Sequence, residues 1–135
     1  MEWSGFTGER VSREHFWLYF GATYAASFVI GILLAAFQAS ETTSTAITVI
    51  WYLVMLAPSI FLTIGRMHDV NKSGWFALVP LYNIIEPIIT HGDTTDNQFG
   101  PPPKQLTQKQ TKFAKAALIT ALVLFVLSSL LNFLP

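Results

Sequence analysis

Polar side chains are concentrated in residues 65–74, between two apolar segments, and their types suggest chemistry. The polar residues of this stretch are Arg66, His68, Asp69, Asn71, Lys72 and Ser73. A histidine beside an aspartate can in principle transfer protons or bind a metal ion. One histidine and one carboxylate are too few ligands, however, and His15 and His91 form no His-x-x-x-His or Glu-x-x-His pair. We therefore expect no metal site.

These residues also give little support to a catalytic site. Nucleophilic catalysis would need a serine with a base, and Ser73 does lie near His68 in the sequence. No glycine-flanked nucleophile elbow is present, however. The chain has no cysteine, which excludes thiolate catalysis, iron–sulfur clusters and Cys-ligated zinc. We expect no enzyme and no cofactor, and a membrane-embedded enzyme stays as an alternative.

A structural interpretation of residues 65–74 is a rigid turn at a membrane surface. Arg66 and Asp69 are three positions apart, the spacing at which opposite charges pair on a helix. Asn71 and Gly74 favour a chain reversal. Trp75 then anchors the next segment at the interface, as Trp17 does for the first apolar segment.

A functional interpretation is compatible with this turn and adds a ligand. Cationic clusters beside a bilayer commonly attract anionic lipids. Arg10, Arg13, Arg66 and Lys72 would converge into one cytoplasmic basic patch that binds an anionic headgroup. His68 would adjust the charge of this patch near neutral pH. The candidate residues for binding an anionic lipid or a protein partner are Arg10, Arg13, Arg66, His68, Asp69 and Lys72.

The composition indicates a membrane protein. Of the 135 residues 52% are hydrophobic and 12% are charged, whereas a soluble domain carries about 25% charged residues. Eight Lys and Arg balance eight Asp and Glu, and the isoelectric point is about 6.8. A nucleic-acid-binding domain would be basic, so we exclude nucleic acid as a partner.

Three apolar segments are long enough to cross a bilayer as helices. They comprise residues 16–37, 46–64 and 116–134. The small residues Ser27, Gly31 and Ala35 repeat every four positions and predict a helix-packing face on the first segment. The expected fold is an all-α integral membrane protein, a compact bundle of three long transmembrane helices and one short helical segment.

The short segment, residues 75–89, either crosses the membrane or re-enters on the side where it began. It would extend about 22 Å as a helix, which is short of a full span, and Pro80 and Pro87 interrupt it. Re-entry would place all eight Lys and Arg in the cytoplasm together with the N-terminus, as the positive-inside rule favours. We therefore predict re-entry and an external C-terminus.

Asn83 and Glu86 are candidate intramembrane polar residues within this short segment. An ionisable group in an apolar segment is a functional hypothesis by default. For Glu86 we favour a carboxylate near the interface that pairs with Arg66 or Lys72. The alternative is a relay in transport.

Three stretches together resemble a known bacterial family, the domain of unknown function 805 family. They are RVSREHFW at 10–17, RMHDVNKSGWF at 66–76 and NQFGPPP at 97–103. The resemblance spans residues 6–103 and implies a small inner-membrane protein, with no activity attached. Residues 1–103 would form the family domain, and residues 104–135 a Lys-rich linker with an additional transmembrane helix.

Three classes of function follow, of which a membrane scaffold or accessory component is favoured. The chain is too short for a transporter built from inverted repeats, and a pore would require an oligomer. A small transporter or channel component that acts as an oligomer is the first alternative, and a membrane-embedded enzyme the second. The expected partners are membrane lipids, chiefly anionic ones, and either a membrane protein or further copies of the chain.

Overall fold

Helices account for all of the regular structure in residues 10–131, the part of the chain that the computed structural model describes. They are α1 (Arg13–Ala36), α2 (Glu41–Asp69), a 3₁₀ helix (Gly74–Leu78), α3 (Tyr82–Ile89) and α4 (Gln108–Leu131). By length and composition α1, α2 and α4 could each cross a membrane. The prediction of an all-α protein with three long spans is therefore confirmed. Residues 6–9 of the family resemblance and residues 132–134 of the last predicted helix lie outside the described part.

Serine caps fix where the first two helices begin. Ser12 Oγ accepts a hydrogen bond from the backbone N–H of His15, and Ser40 Oγ accepts one from Thr43. Such caps satisfy backbone donors that a helix start leaves open. Consequently α1 begins three residues before its apolar segment, and α2 begins five residues before its own.

The turn expected at residues 65–74 begins later than predicted, because α2 continues to Asp69. Residues 66–69 form the last turn of the helix, because Arg66 is neutralised there by Asp69. The reversal follows at Asn71, whose φ of 57° is left-handed. The N–H of Lys72 bonds the Met67 carbonyl at 2.9 Å and closes the helix.

Helices α1 and α2 form an antiparallel hairpin. Near one end the Val11 N–H bonds the Gly65 carbonyl at 2.9 Å. In the middle the Tyr19 hydroxyl lies 3.2 Å from Ser59 Oγ. Farther along, the Trp51 indole N–H donates to Ser27 Oγ at 2.9 Å. These contacts connect the two helices through polar groups at three levels.

Helix α4 packs parallel to α1, and the packing face differs from the one predicted. Gly21 lies so close to α4 that an added Cβ would be 2.6 Å from the Ala117 backbone. Phe16 and Trp17 pack with Ala114 at one end. Gly31, in the predicted small face, has no neighbour within 4 Å of such a Cβ, because α4 approaches α1 on another side.

Residues 74–89 return to the end of the bundle where they begin. The predicted single helix is broken, since Leu81 has a φ of 66° between the 3₁₀ helix and α3. Asn83 Nδ2 donates to the Ala77 carbonyl at 3.0 Å and connects the two pieces. The eight residues of α3 extend only about 12 Å. The segment begins just after α2 and returns to Arg66, which bonds the carbonyls of Pro87 and Thr90.

One end of the bundle therefore contains the start of α1, the end of α2, the start of α4 and residues 70–107. We call it the basic end, because within residues 10–131 it holds all eight Lys and Arg side chains. The opposite end holds the turn at residues 37–40 and the last described residues of α4.

Candidate functional site

Asp69 is the centre of a buried ion cluster at the basic end. Its Oδ1 accepts from Arg10 Nε at 3.1 Å, and its Oδ2 accepts from Arg66 Nη1 at 2.5 Å. Both arginine side chains have 0% exposure, and that of Asp69 has 4%. One carboxylate thus faces two guanidinium groups, one from the segment before α1 and one from its own helix.

Backbone carbonyls accept the other hydrogen bonds of the two arginines. Arg10 donates to Thr95, Gly100 and Asp93, with Nη1 at 2.7 Å and 3.0 Å from the first two oxygens. Arg66 donates to Pro87 at 3.1 Å and also to Thr90. Buried ions are tolerated only where such additional bonds satisfy their donors. The two cations therefore bind protein groups that come from positions 87–100.

Residues 90–100, which we call the closing loop, lie directly on this cluster. The Asp93 N–H donates to the Asp69 carbonyl at 2.8 Å. A Cβ added to Gly92 would lie 1.8 Å from Asp69 Oδ2, so only glycine allows this approach. Glycine lets backbone come this close to another group.

The far part of the closing loop contacts His68. Asn97 Nδ2 donates to the His68 carbonyl at 2.9 Å. The Phe99 ring stacks on the imidazole with centroids 3.9 Å apart and planes 8° apart. Gly100 permits the tight turn, since its φ is 108° and it pairs with Asn97. The three sequence motifs therefore meet in space around Asp69 and His68.

A family comparison identifies the group of proteins that share these motifs. The family model described as "Protein of unknown function (DUF805)" matches residues 4–101. This chain belongs to the DUF805 family. Similar relatives are the inner membrane protein YhaH of Escherichia coli K12 and that of strain O157:H7. Each is 31% identical over 108 residues, which cover 74% of this chain and 88% of the relative. No solved structure matches the chain.

This DUF805 chain is a multi-pass protein of the inner membrane, as its relatives and its three candidate spans indicate together. The family match ends before α4, which nevertheless packs against α1 over much of its length.

Arg13 has a different environment from Arg10 and Arg66. Its Nη1 lies 3.4 Å from the Ile89 carbonyl and 3.3 Å from His91 Nδ1, and its Nη2 lies 3.4 Å from Glu14. These distances exceed the usual 2.7–3.2 Å for N–H···O bonds. The guanidinium stacks over Trp17 at 4.6 Å, and its buried Nε has no hydrogen-bond partner among residues 10–131.

Lys72 lies beside the short segment. Its Nζ is 3.1 Å from Glu86 Oε1, so Glu86 contacts one of the two cations expected for it. Lys72 also donates to the Tyr82 hydroxyl. The hydrogen bond that Lys72 donates to Tyr82 raises the pKa of Lys72, and the bond to Glu86 raises it further.

The four cations expected to form one basic patch, Arg10, Arg13, Arg66 and Lys72, have separate environments in this DUF805 protein. Arg10 and Arg66 point into the cluster, where Asp69 and backbone carbonyls accept hydrogen bonds from four of the five N–H donors of Arg10 and three of the five of Arg66. Both side chains have 0% exposure, so a headgroup does not reach their remaining donors. Lys72 is separated from them by its own contacts with Glu86 and Tyr82.

Trp17 and Trp75, the two expected interfacial anchors, differ in exposure. Trp75 has 78% exposure, as an interfacial anchor requires. Trp17 has 7% exposure, and its indole N–H donates to the Ile88 carbonyl at 3.1 Å. Trp17 is therefore a packing residue that holds the end of α3 against α1.

A polar cleft of about 340 Å³ opens between the start of α1, the closing loop and the segment that leads into α4. Its charged and titratable lining residues are Arg13, Glu14, Asp69, His91 and Asp93. Among residues 10–131 no three His, Asp or Glu side chains lie close enough to hold a metal ion. Sequence reasoning did not find this cleft, because Gly92 and Asp93 lack any local signal of their approach to Asp69.

Proposed function

We propose that this protein is a non-enzymatic accessory component of the inner membrane whose basic end faces the cytoplasm and binds anionic phospholipid headgroups. The observation that carries the proposal is the distribution of charge. Within residues 10–131 the basic end has eight Lys and Arg against five Asp and Glu, a net charge of +3. Of the Asp and Glu residues in the described part, Glu41 lies at the opposite end.

This asymmetry favours one orientation. Short loops rich in Lys and Arg stay on the cytoplasmic side of bacterial inner membranes. The same leaflet surface is negative and attracts cations near the bilayer by about 1 kcal/mol for each. The basic end would therefore lie where anionic lipids can reach its exposed side chains.

The lysines at the start of α4 are better placed for these lipids than the arginines of the central motif. Lys109, Lys112 and Lys115 are exposed at three-residue spacing on the first two turns of α4. Lysine stems can lie along apolar helix surface while the ammonium reaches the headgroups. The buried Arg10, Asp69 and Arg66 would serve to hold the closing loop, from which the chain runs to α4.

Lipid retention measured by native mass spectrometry tests this proposal. The full chain would be extracted in mild detergent and offered equal amounts of phosphatidylglycerol and phosphatidylcholine. We expect retention of phosphatidylglycerol, and a loss of about a hundredfold in the K109Q/K112Q/K115Q variant. The matched control K109R/K112R/K115R keeps the charge and should retain the lipid.

Equal retention of both lipids by the wild type would contradict the proposal. So would unchanged retention of phosphatidylglycerol by the glutamine variant. A stable symmetric homo-oligomer in the same spectra would favour a channel component instead.

A further inference from the structure

The polar cleft beside Arg13 is lined by both a cationic side chain and carboxylates, whereas Lys109, Lys112 and Lys115 of α4 are all cationic. It lies between α1 and the closing loop at the end of the bundle where α1 and α4 begin. In the orientation proposed above, this end would be near the lipid headgroups. Its volume of about 340 Å³ falls within the usual range of about 300–1,000 Å³ for small-ligand sites.

Arg13 supplies the cation of this cleft. Its three polar contacts are all 3.3–3.4 Å long, whereas every hydrogen bond of Arg10 and Arg66 is 3.1 Å or shorter. Stacking on Trp17 holds the guanidinium plane in place. A preoriented guanidinium with weakly used donors suits a phosphate, which accepts two parallel hydrogen bonds from arginine. His91 lies beside it as a second polar group.

Carboxylates supply the opposite charge. Asp69 is already neutralised by two guanidinium groups, so Glu14 and Asp93 are the acidic side chains that can still act on a ligand. Asp93 is exposed, and the fold uses its backbone N–H and carbonyl, with one side-chain bond to Asn97. A purely anionic ligand would be repelled by these two carboxylates.

We propose that the cleft binds phosphoethanolamine, with the phosphate at Arg13 and His91 and the primary ammonium at Asp93 and Glu14. This group occurs as the headgroup of phosphatidylethanolamine and as a free compound. A primary ammonium donates three hydrogen bonds to carboxylates, whereas the trimethylated nitrogen of choline donates none. The cleft therefore distinguishes the two zwitterions. It is a different site from the lysines of α4 and takes a different ligand.

The experiment compares headgroups with identical acyl chains on the full chain in detergent micelles. Binding of phosphatidylethanolamine, phosphatidylcholine and phosphatidylglycerol would be measured by native mass spectrometry, and binding of free phosphoethanolamine by calorimetry. We expect retention of phosphatidylethanolamine over phosphatidylcholine. Binding of both ethanolamine compounds assigns the site to the headgroup, and binding of the lipid alone assigns it to the lipid. Binding of neither overturns the proposal.

Two variants locate the ligand in the cleft. R13Q should lower retention of phosphatidylethanolamine by about tenfold or more, because it removes the charged donor to the phosphate. D93N should lower the preference for ethanolamine over choline, because it removes the acceptor of the ammonium. K109Q/K112Q/K115Q should leave this retention unchanged, so the two lipid proposals fail separately.

The folded state of each variant is checked by circular dichroism and thermal unfolding in the same micelles. R13K, which keeps a cation at position 13, serves as the conservative control and should retain part of the binding. Unchanged ethanolamine preference in folded R13Q and D93N would overturn the proposal.

Discussion

Gly92 touches the carboxylate of Asp69 so closely that position 92 has no room for a side chain. An added Cβ would lie 1.8 Å from Oδ2, and Asp69 cannot withdraw because Arg10 and Arg66 hold it from two directions. The contact joins the end of α2 to a loop more than twenty residues later.

The first prediction follows from this contact. Gly92→Ala should lower the free energy of unfolding by about 1–3 kcal/mol, since it overpacks a rigid site. Thermal unfolding in detergent micelles, followed by circular dichroism, measures the change. Gly31→Ala is the matched control, because its Cβ meets nothing within 4 Å. Equal stability of the two variants would show that the closing loop does not lie on Asp69.

The second prediction concerns removal of the negative charge of Asp69 from between Arg10 and Arg66. Asp69→Asn leaves two buried guanidinium groups without a carboxylate and should cost about 3–5 kcal/mol. The amount of folded protein in the membrane and its thermal unfolding report this loss. Asp96→Asn removes an exposed carboxylate from the closing loop and should change either measurement little. A similarly mild effect of Asp69→Asn would argue against an ion cluster that holds the fold.

The third prediction uses the raised pKa of Lys72. A group whose pKa is higher in the folded state stabilises the fold below its unfolded value, near 10.4, and loses this effect as the pH rises through the folded value. Lys72→Met should therefore lower the free energy of unfolding, and the loss should be nearly the same at every pH between about 6 and 9. The difference from the wild type should shrink above about pH 10. A difference that vanishes already near neutral pH would be inconsistent with the contacts to Tyr82 and Glu86.

The fourth prediction concerns topology, for which the absence of native cysteine is convenient. Gln105→Cys and Glu41→Cys should react with membrane-impermeant thiol reagents from opposite sides, with Gln105 on the cytoplasmic side. Labelling would be compared in intact cells and in opened membranes. Labelling of both positions from outside in intact cells would contradict the proposed orientation. It would also contradict re-entry of residues 74–89.

The sequence allowed the spanning helices to be predicted because long apolar runs have few alternative structures. The pairing of Arg66 with Asp69 was also accessible, since it depends only on helical spacing. The second partner of Asp69, Arg10, is 59 positions away, and no local pattern indicates that contact. The basic patch was expected because two cationic clusters, distant in the sequence, flank helix ends on the same predicted side. Carbonyls of residues 87–100 instead accept hydrogen bonds from two of these cations.

The packing of α1 shows that the sequence does not indicate which face of a helix receives its neighbour. The repeat of Ser27, Gly31 and Ala35 indicated a face that could receive a helix, yet α4 approaches at Gly21. Both faces contain small residues, so composition alone does not choose between them. The choice depends on where the closing loop delivers α4, which is a property of the assembled basic end.

The five carbonyl acceptors of Arg10 and Arg66 all come from residues 87–100, which leave the ribosome after α1 and α2. During synthesis the first hairpin can insert while these two guanidinium groups are still hydrated at the membrane surface. Their burial must wait for the closing loop. The order of the chain therefore makes dehydration of the polar end a late step of biogenesis, which follows synthesis of the closing loop.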